Sequence, residues 1–366
     1  FIRWVDNIPQ DKYELFWFDI LDRGRIEELS FINQITNWKK RKIIILKGEY
    51  FLSKKLPQIY EWIRPALELT ENEVLEKLIC QIKPDVVHSF EMQSCSYPIL
   101  NTMIKYPSIN WIYSCWGSDL FYYKNFNTHR IKISRMLKRL DYLHTDCQRD
   151  YILAKLMGFR GTHLGVIPGG SGYDLKALRS QNTPVSTRKI ILVKGYEHEF
   201  GRALNVIKAL EKTEGLKQKY DIVVFGAHKI VSDYIFNQRL DFKVYSRQEL
   251  SHESVLKLMG KSLIFIGNSI SDGLPNTLLE AIVMGAFPIQ SNPGGVTEEI
   301  IEDEKNGLLI RNPENIEEIF FLIQKTLRNI DRIEAAWAIN QDLAARILDE
   351  NKIRKIITKF YHTASF

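Results

Sequence analysis

Ser271-Asp272-Gly273-Leu274-Pro275-Asn276-Thr277-Leu278-Leu279-Glu280-Ala281 joins an apolar run, Leu263–Ile266, to an amphipathic one, Thr277–Met284. The first reads as a buried strand and the second as a helix. Gly273 and Pro275 make the turn between them, and Asn276 is the expected N-cap. The free amides of the first helical turn then face whatever lies beyond the strand end, where they suit oxygen-rich or anionic groups. Asp272 precedes the turn and Glu280 lies about one turn into the helix, so both carboxylates can address one ligand. A carboxylate accepts two strong hydrogen bonds at once, which suits the vicinal hydroxyls of a hexose or a ribose. Spacing alone equally allows Asp272 as a turn residue and Glu280 as a solvated helix position.

Outward from this segment, short β-branched or aromatic runs alternate with longer amphipathic stretches, the pattern of parallel α/β layers. Strands are expected at Glu14–Asp19, Lys42–Leu46, Val86–Ser89, Trp111–Ser114 and Tyr142–Thr145 in the first half. In the second half they are expected at Lys189–Val193, Asp221–Phe225, Phe242–Tyr245, Leu263–Ile266, Phe287–Gln290 and Leu308–Ile310. Helical patterns include Asn72–Ile82, Arg202–Lys212 and Ser254–Lys261. The polar stretch around Ser180–Pro184 reads as a linker, which divides the chain into 1–178 and 187–340. A tail, 341–366, is helical with no strand after it and is expected to pack across the junction. Phe1-Ile2-Arg3-Trp4 already reads as helix, so a first strand is expected to be missing ahead of it.

At 366 residues the chain suits two domains. A net charge of +6 is compatible with phosphate-bearing ligands or an anionic membrane face and does not by itself imply nucleic acid. Cys80, Cys95, Cys115 and Cys147 show no zinc-site spacing and read as reduced, buried thiols of a cytoplasmic protein. No apolar run approaches the roughly 20 residues of a spanning helix.

The stretch from Asp272 onward resembles the retaining glycosyltransferases of family 4, which have the GT-B architecture of two Rossmann-like domains facing a cleft. Their acid-x7-Glu fingerprint is matched by Asp272 and Glu280. It continues through Ala281–Gly285, Phe287-Pro288-Ile289, Pro293-Gly294-Gly295, Glu298 and Asn306–Ile310. By that resemblance Glu280 would bind the donor ribose, and Asp272, where the family usually has Glu, would stand near the transferred sugar. Gly273, Leu274, Pro275, Asn276 and Thr277 would supply backbone contacts to that sugar. Lys194-Gly195-Tyr196 and Gly201-Arg202 resemble the family's phosphate loop, which places Lys194, Gly195 and Arg202 as candidates to clamp a diphosphate.

In the first half, Pro84–His88 resembles the family's Pro-Asp-apolar-apolar-His strand. Trp116-Gly117-Ser118-Asp119 resembles its His-Gly-Ser-Asp loop, with Trp116 in place of the histidine. His88, Trp116, Gly117, Ser118 and Asp119 are therefore acceptor-side candidates, although a strand-end histidine such as His88 is more often structural. The chain contains no Asp-x-Asp, so neither a metal nor any other cofactor is expected. The implied activity is front-side transfer of a hexose from a nucleotide sugar to a glycan or lipid-linked acceptor, as in building a surface polysaccharide. An epimerase of nucleotide sugars on the same fold and an inactive binding homologue are the alternatives. Residues 124–139 interleave Lys124, Arg130, Lys132, Arg135, Lys138 and Arg139 with apolar side chains. Such a helix could rest on anionic lipid at the inner face of the membrane, or be an ordinary solvated face.

Overall fold

The computed structural model describes residues 1–213 and 215–365; Glu214 and Phe366, within the expected 187–340 and 341–366 segments, lie outside the described residues. Strands β1 (Phe16–Phe18) and β2 (Asn33–Ile35) pair in parallel near the start of the chain. A four-stranded parallel sheet follows, built from β3 (Val86–Phe90), β4 (Asn110–Cys115), β5 (Tyr142–Thr145) and β6 (Thr162–Val166) in that order. The second half holds β7 (Ile190–Lys194), β8 (Asp221–Ala227), β9 (Lys243–Ser246), β10 (Ser262–Gly267), β11 (Phe287–Ser291) and β12 (Leu308–Ile310). These six lie in the order β12-β11-β10-β7-β8-β9, all parallel. Helices cover both faces, which is why Leu263–Ile266 is apolar throughout rather than alternating.

One expected strand is absent, and two strands were not expected. Lys42–Leu46 is not a strand: Ile43 to Leu46 are exposed, and only Arg41 makes an isolated bridge, to Glu68. Its apolar run has no sheet to enter. Asn33–Ile35 and Thr162–Val166, which are polar or glycine-interrupted, are strands that the hydrophobic pattern does not announce. The expectation that the cysteines are all buried also fails, because Cys80 is exposed; all four thiols are free.

Strand order fixes where a ligand can sit. The chain lays β7, β8 and β9 outward on one side, then returns to place β10 on the other side of β7. At that reversal the helices that follow β7 and β10 pack on opposite faces of the sheet, the arrangement that places a ligand crevice at its carboxyl end. Lys194 ends β7, and Gly267 ends β10 five residues ahead of Asp272.

The tail forms two helices, Ile330–Ile347 and Glu350–Ser365. The first packs on the second half, where the Gln341 amide donates to the Ile282 carbonyl at 3.0 Å. The chain then bends at Leu348, and the second helix buries Ile353, Ile357, Phe360 and Tyr361 against Trp4, Ile112 and Ile167 of the first half. This return crosses beside the outgoing one: Tyr173 N donates to Leu348 O at 2.8 Å, and Glu350 N donates to Tyr173 O at 3.1 Å.

A chain of buried hydrogen bonds ties that helix to the sheet. Trp4 Nε1 can only donate, so Tyr361 Oη accepts from it at 2.8 Å and gives its own proton to His88 Nδ1 at 2.7 Å. His88 Nε2 then donates to Ser114 Oγ at 2.8 Å, which donates to His144 Nδ1 at 2.9 Å. Burial holds His88 well below its usual range and His144 down at about 3, so both rings are neutral and the order of donors is fixed. Tyr361→Phe removes one acceptor and one donor from this dry row. It should lower unfolding free energy by about 1–3 kcal/mol in chemical denaturation.

Candidate functional site

The two loops at the sheet reversal are stitched together. Ile270 N donates to Phe200 O at 2.9 Å, and Arg202 N donates to Asn268 O at 3.0 Å. Gly195 sits where a β-carbon would lie 2.7 Å from Ala227 Cα, and its amide is bonded to Phe225 O. Its place is set by packing of β7 against β8, and its N–H is already used. Beyond it, Lys194 Nζ lies 4.7 Å from the Tyr196 ring centroid and Arg247 Cζ lies 5.4 Å from the same centroid. Among the described residues neither cation has a carboxylate partner within ion-pair distance. Burial and the neighbouring His228, Lys194, Arg247 and Arg202 all lower His198, so positive charge is concentrated here.

Arg202 is placed differently from the expectation of a phosphate clamp. Its Nε donates to Glu314 Oε1 at 2.5 Å, and Nη1 donates to the carbonyls of His198, Glu199 and Gly201. It braces the loop. Arg247, in the loop after β9, was missed by sequence reasoning because it lies far along the chain; like Lys194 it stands over the Tyr196 ring.

The turn after β10 departs from the expected cap. The helix runs Asn276–Val283 with Pro275 as N-cap (φ −63°, ψ 126°), so Asn276 is the first helical residue and its side chain caps nothing. Proline lacks an N–H and its ring fixes φ, which suits the boundary without side-chain help. The amides of Gly273 and Leu274 are occupied, by Asp272 Oδ1 at 3.0 Å and by Asp146 Oδ2 at 3.1 Å. Leu278 and Leu279 N–H groups reach Pro275 O, which leaves the amides of Asn276 and Thr277 open. The buried Thr277 hydroxyl also lacks a partner. Burial pushes the Asp272 carboxyl up, partly offset by Lys194 and by the Gly273 N–H.

Glu280 is buried, and its Oε1 accepts from His252 Nε2 at 2.8 Å. Arg3, from the opening helix Ile2–Val5 of the other half, stands 3.9 Å from the same oxygen. The hydrogen bond to Glu280 raises His252 above its usual 6.5.

Facing this loop from the first half, Gly117 has φ +86°, and a β-carbon there would lie 2.1 Å from Gly273 N. A β-carbon on Gly273 would in turn meet Asp146 Oδ2 at 2.1 Å. The two halves thus touch backbone to backbone at the stretch the fingerprint singled out. Ser118 Oγ and Ser271 Oγ share a hydrogen bond of 2.9 Å across the same seam.

Arg149 clasps the seam: Nη2 donates to Asp272 O at 2.8 Å, Nη1 to Pro293 O at 2.7 Å, and Nε to Asp150 Oδ1 at 2.9 Å. In the reverse direction, the Glu299 carboxylate accepts from Gln148 N at 2.7 Å and Arg149 N at 2.8 Å, at the start of helix Gln148–Leu156. Asp146, Arg149 and Glu299 carry no motif, and only the fold shows them meeting.

Of the acceptor-side candidates, Trp116 is 48% exposed and Ser118 lies on the seam. Asp119 does not face the cleft. Its carboxylate is buried, accepting from Tyr113 Oη at 2.5 Å, Trp116 N at 3.1 Å and Cys115 Sγ at 3.2 Å, and burial lifts its pKa to about 7. It holds the Trp116–Gly117 turn in shape. His88 is likewise turned inward, both ring nitrogens being spent in the hydrogen-bond chain that reaches Tyr361.

Asp146, Cys147 and Asp150 bring potential metal-ligand atoms within 4.8 Å of one another. Their donor set suits a cation poorly as it stands. Asp150 pairs with Arg149, Asp146 accepts the Leu274 amide, and burial raises both Asp146 and the Cys147 thiol, which disfavours the deprotonated ligands a metal needs.

A family described as glycosyl transferases group 1 matches residues 176–340, and one described as glycosyl transferase 4-like matches residues 2–147. No curated protein matches the chain. Among solved structures, sucrose-phosphate synthase from Thermosynechococcus elongatus is similar at a TM-score of 0.71 and 14% identity, covering 97% of this chain and 90% of that one. Anabaena HepE, in complex with UDP-glucose, is similar at a TM-score of 0.62 and 16% identity, covering 79% and 82%. A glycosyltransferase from Rickettsia africae is similar at 0.63 and 15% identity, covering 99% and 94%. The fold and site define a GT-B glycosyltransferase. The chain belongs to the group 1 and 4-like glycosyltransferases, and it is an enzyme of that class.

Two expected outcomes follow from this geometry. Gly117→Ala should force the Asp272–Glu280 loop away from the seam and lower turnover about tenfold to a hundredfold in a transfer assay. Gly165→Ala, at φ +119° with nothing within 4 Å, should strain only its own backbone and serve as control. The raised His252 implies that its pairing with Glu280 stabilises the fold fully below 6.5 and is lost as pH rises through the higher folded value. Melting temperature should therefore fall as pH rises from 6.5 through that higher folded value, a slope that His252→Gln flattens.

Proposed function

We propose that this chain transfers a hexose from a nucleoside-diphosphate sugar to a glycan or lipid-linked acceptor, with retention at the anomeric carbon and without a metal. The observation that carries the reading is one crevice, at the sheet reversal, with four features together. Lys194 and Arg247 stand without carboxylate partners, the Asn276 and Thr277 amides are open, the Thr277 hydroxyl has no partner, and Glu280 and Asp272 flank them. Cations and helix-start amides suit a diphosphate, and carboxylates suit ribose and sugar hydroxyls.

In this reading Glu280 holds the ribose, and Lys194 with Arg247 holds the two phosphates. Those cations stabilise the charge that grows on the leaving diphosphate as the bond to the anomeric carbon breaks. The acceptor oxygen approaches from the same face, and its proton passes to the departing phosphate oxygen. Asp119 is buried away from the cleft and Asp272 bonds the Gly273 amide, which favours a front-side path over a covalent carboxylate intermediate.

HepE holds UDP-glucose, so uridine-diphosphate sugars are the first donors to try. The test is donor turnover across a panel of nucleotide sugars, with the product anomer read by NMR and with chelator present and absent. Glu280→Ala and the double variant Lys194→Ala/Arg247→Ala should each lower kcat/KM by roughly a hundredfold or more. Unchanged turnover in Glu280→Ala would overturn the assignment, inversion would overturn the front-side path, and an epimerised donor would replace transfer with isomerisation.

A further inference from the structure

The run Lys39-Lys40-Arg41-Lys42-Ile43-Ile44-Ile45-Leu46-Lys47-Gly48-Glu49-Tyr50-Phe51 continues through Leu52-Ser53-Lys54-Lys55-Leu56-Pro57-Gln58-Ile59-Tyr60-Glu61-Trp62 without entering either sheet. It forms a loop and two short helices, Glu49–Lys55 and Pro57–Leu67. Its apolar side chains point outward. Ile44 is 83% exposed, Ile45 74%, Tyr50 76% and Trp62 83%, and Ile43, Leu46, Phe51, Leu56 and Ile59 are exposed as well. Single exposed apolar residues need no explanation, but a contiguous set of this size marks a surface that is covered by something else.

The segment is a firm projection and not a loose end. Trp38 is buried at its start, with Nε1 donating to Asp19 O at 2.6 Å, and Leu67 is buried at its end. Leu69 N donates to Lys40 O at 2.9 Å and Lys42 N to Leu67 O at 2.8 Å, closing the base. Inside, Arg41 grips the buried Glu49 at 2.7 and 2.8 Å.

Charge indicates the partner. Residues 39–62 hold seven Lys or Arg and two Glu, a net +5 (seven minus two) out of the chain's +6. The carboxylates that meet the segment are engaged within it or at its base: Glu49 with Arg41, Glu73 with Lys42, and Glu61 with Arg64. Lys40, Lys47, Lys54 and Lys55 are left facing outward without an acidic partner among the described residues. Aliphatic and aromatic tips ringed by free lysines match a bilayer surface whose headgroups are anionic, with Trp62 and Tyr50 at headgroup depth. Helix Asn127–Leu137, for which the sequence allowed either lipid contact or an ordinary solvated face, turns Ile133, Met136 and Leu137 into the core. No described helix is long and apolar enough to cross a membrane, so contact here would be peripheral.

We propose that residues 39–62 are a docking surface for anionic lipid bilayers, by which the first half rests on a membrane. The inference stands apart from the donor chemistry and would fit a lipid-linked acceptor.

Sedimentation with vesicles tests it, using phosphatidylcholine alone and phosphatidylcholine containing about one third phosphatidylglycerol. The protein should partition to the anionic vesicles at low salt, weakly to the neutral ones, and less as salt rises. Phe51→Ser/Trp62→Ser and Lys54→Glu/Lys55→Glu should each reduce partitioning about tenfold or more. Both should leave the melting temperature and the shift caused by uridine diphosphate unchanged, which separates failure here from failure of the proposed activity. Absence of vesicle binding, or equal binding by the variants, would overturn the proposal. So would a concentration-dependent dimer dissolved by Phe51→Ser/Trp62→Ser, which would assign this face to a second copy.

Discussion

Gly117 against Gly273 is the contact on which the rest of this molecule depends. Neither residue has room for a β-carbon: at Gly117 it would run into the Gly273 backbone, and at Gly273 into the Asp146 carboxylate of the first half. Around it the polar groups are exchanged in both directions. An arginine of the first half holds two carbonyls of the second, and a glutamate of the second caps a helix of the first. The crevice at the sheet reversal takes its far wall from this seam, so the donor loop's shape is a property of both halves together.

Within the second half, shape follows from topology. A parallel sheet whose strand order reverses between β7 and β10 leaves a gap at its carboxyl end, and the loops that fill the gap carry Lys194 and the Asp272–Glu280 segment. Burial then sets the protonation balance. Carboxyls along the seam, Asp119, Asp146 and Asp272, are all pushed upward, while the rim collects unpaired cations. A polyanion is favoured at the rim and disfavoured behind it.

Much of this was legible in the sequence, and the limits have physical causes. The buried strands of the second half were clear because a doubly covered strand must be apolar throughout, as Leu263–Ile266 is. Thr162–Val166 and Asn33–Ile35 lie at a sheet edge or in a two-stranded pair, where no such demand applies. The run at Ile43–Ile45 carried a strand's composition but faces outward, since hydrophobicity records burial without saying what does the burying. The donor loop was readable because its residues are contiguous. Arg247, Arg149 and Asp146 were not, because each meets the site only through the fold. Arg202 shows the converse: a residue at a suggestive spacing can be claimed by a nearer carboxylate, Glu314. Capping chemistry alone pointed to Asn276 as N-cap, a place that Pro275 takes as the helix boundary.

The polypeptide passes between the halves twice, near Tyr173 going out and near Leu348 returning, and the two passages are hydrogen-bonded to each other. Gly172 lies so close to the start of the returning helix that a β-carbon would meet Glu350 Cα at 2.6 Å. Two bodies joined at two adjacent points keep one easy relative freedom, rotation about the line through those points, while sliding and twisting stretch one passage against the other. The crevice can then open only as a door does, along its far edge. The first contacts to part would be those most distant from that line, and each closure would return Gly117 to the same place over the loop.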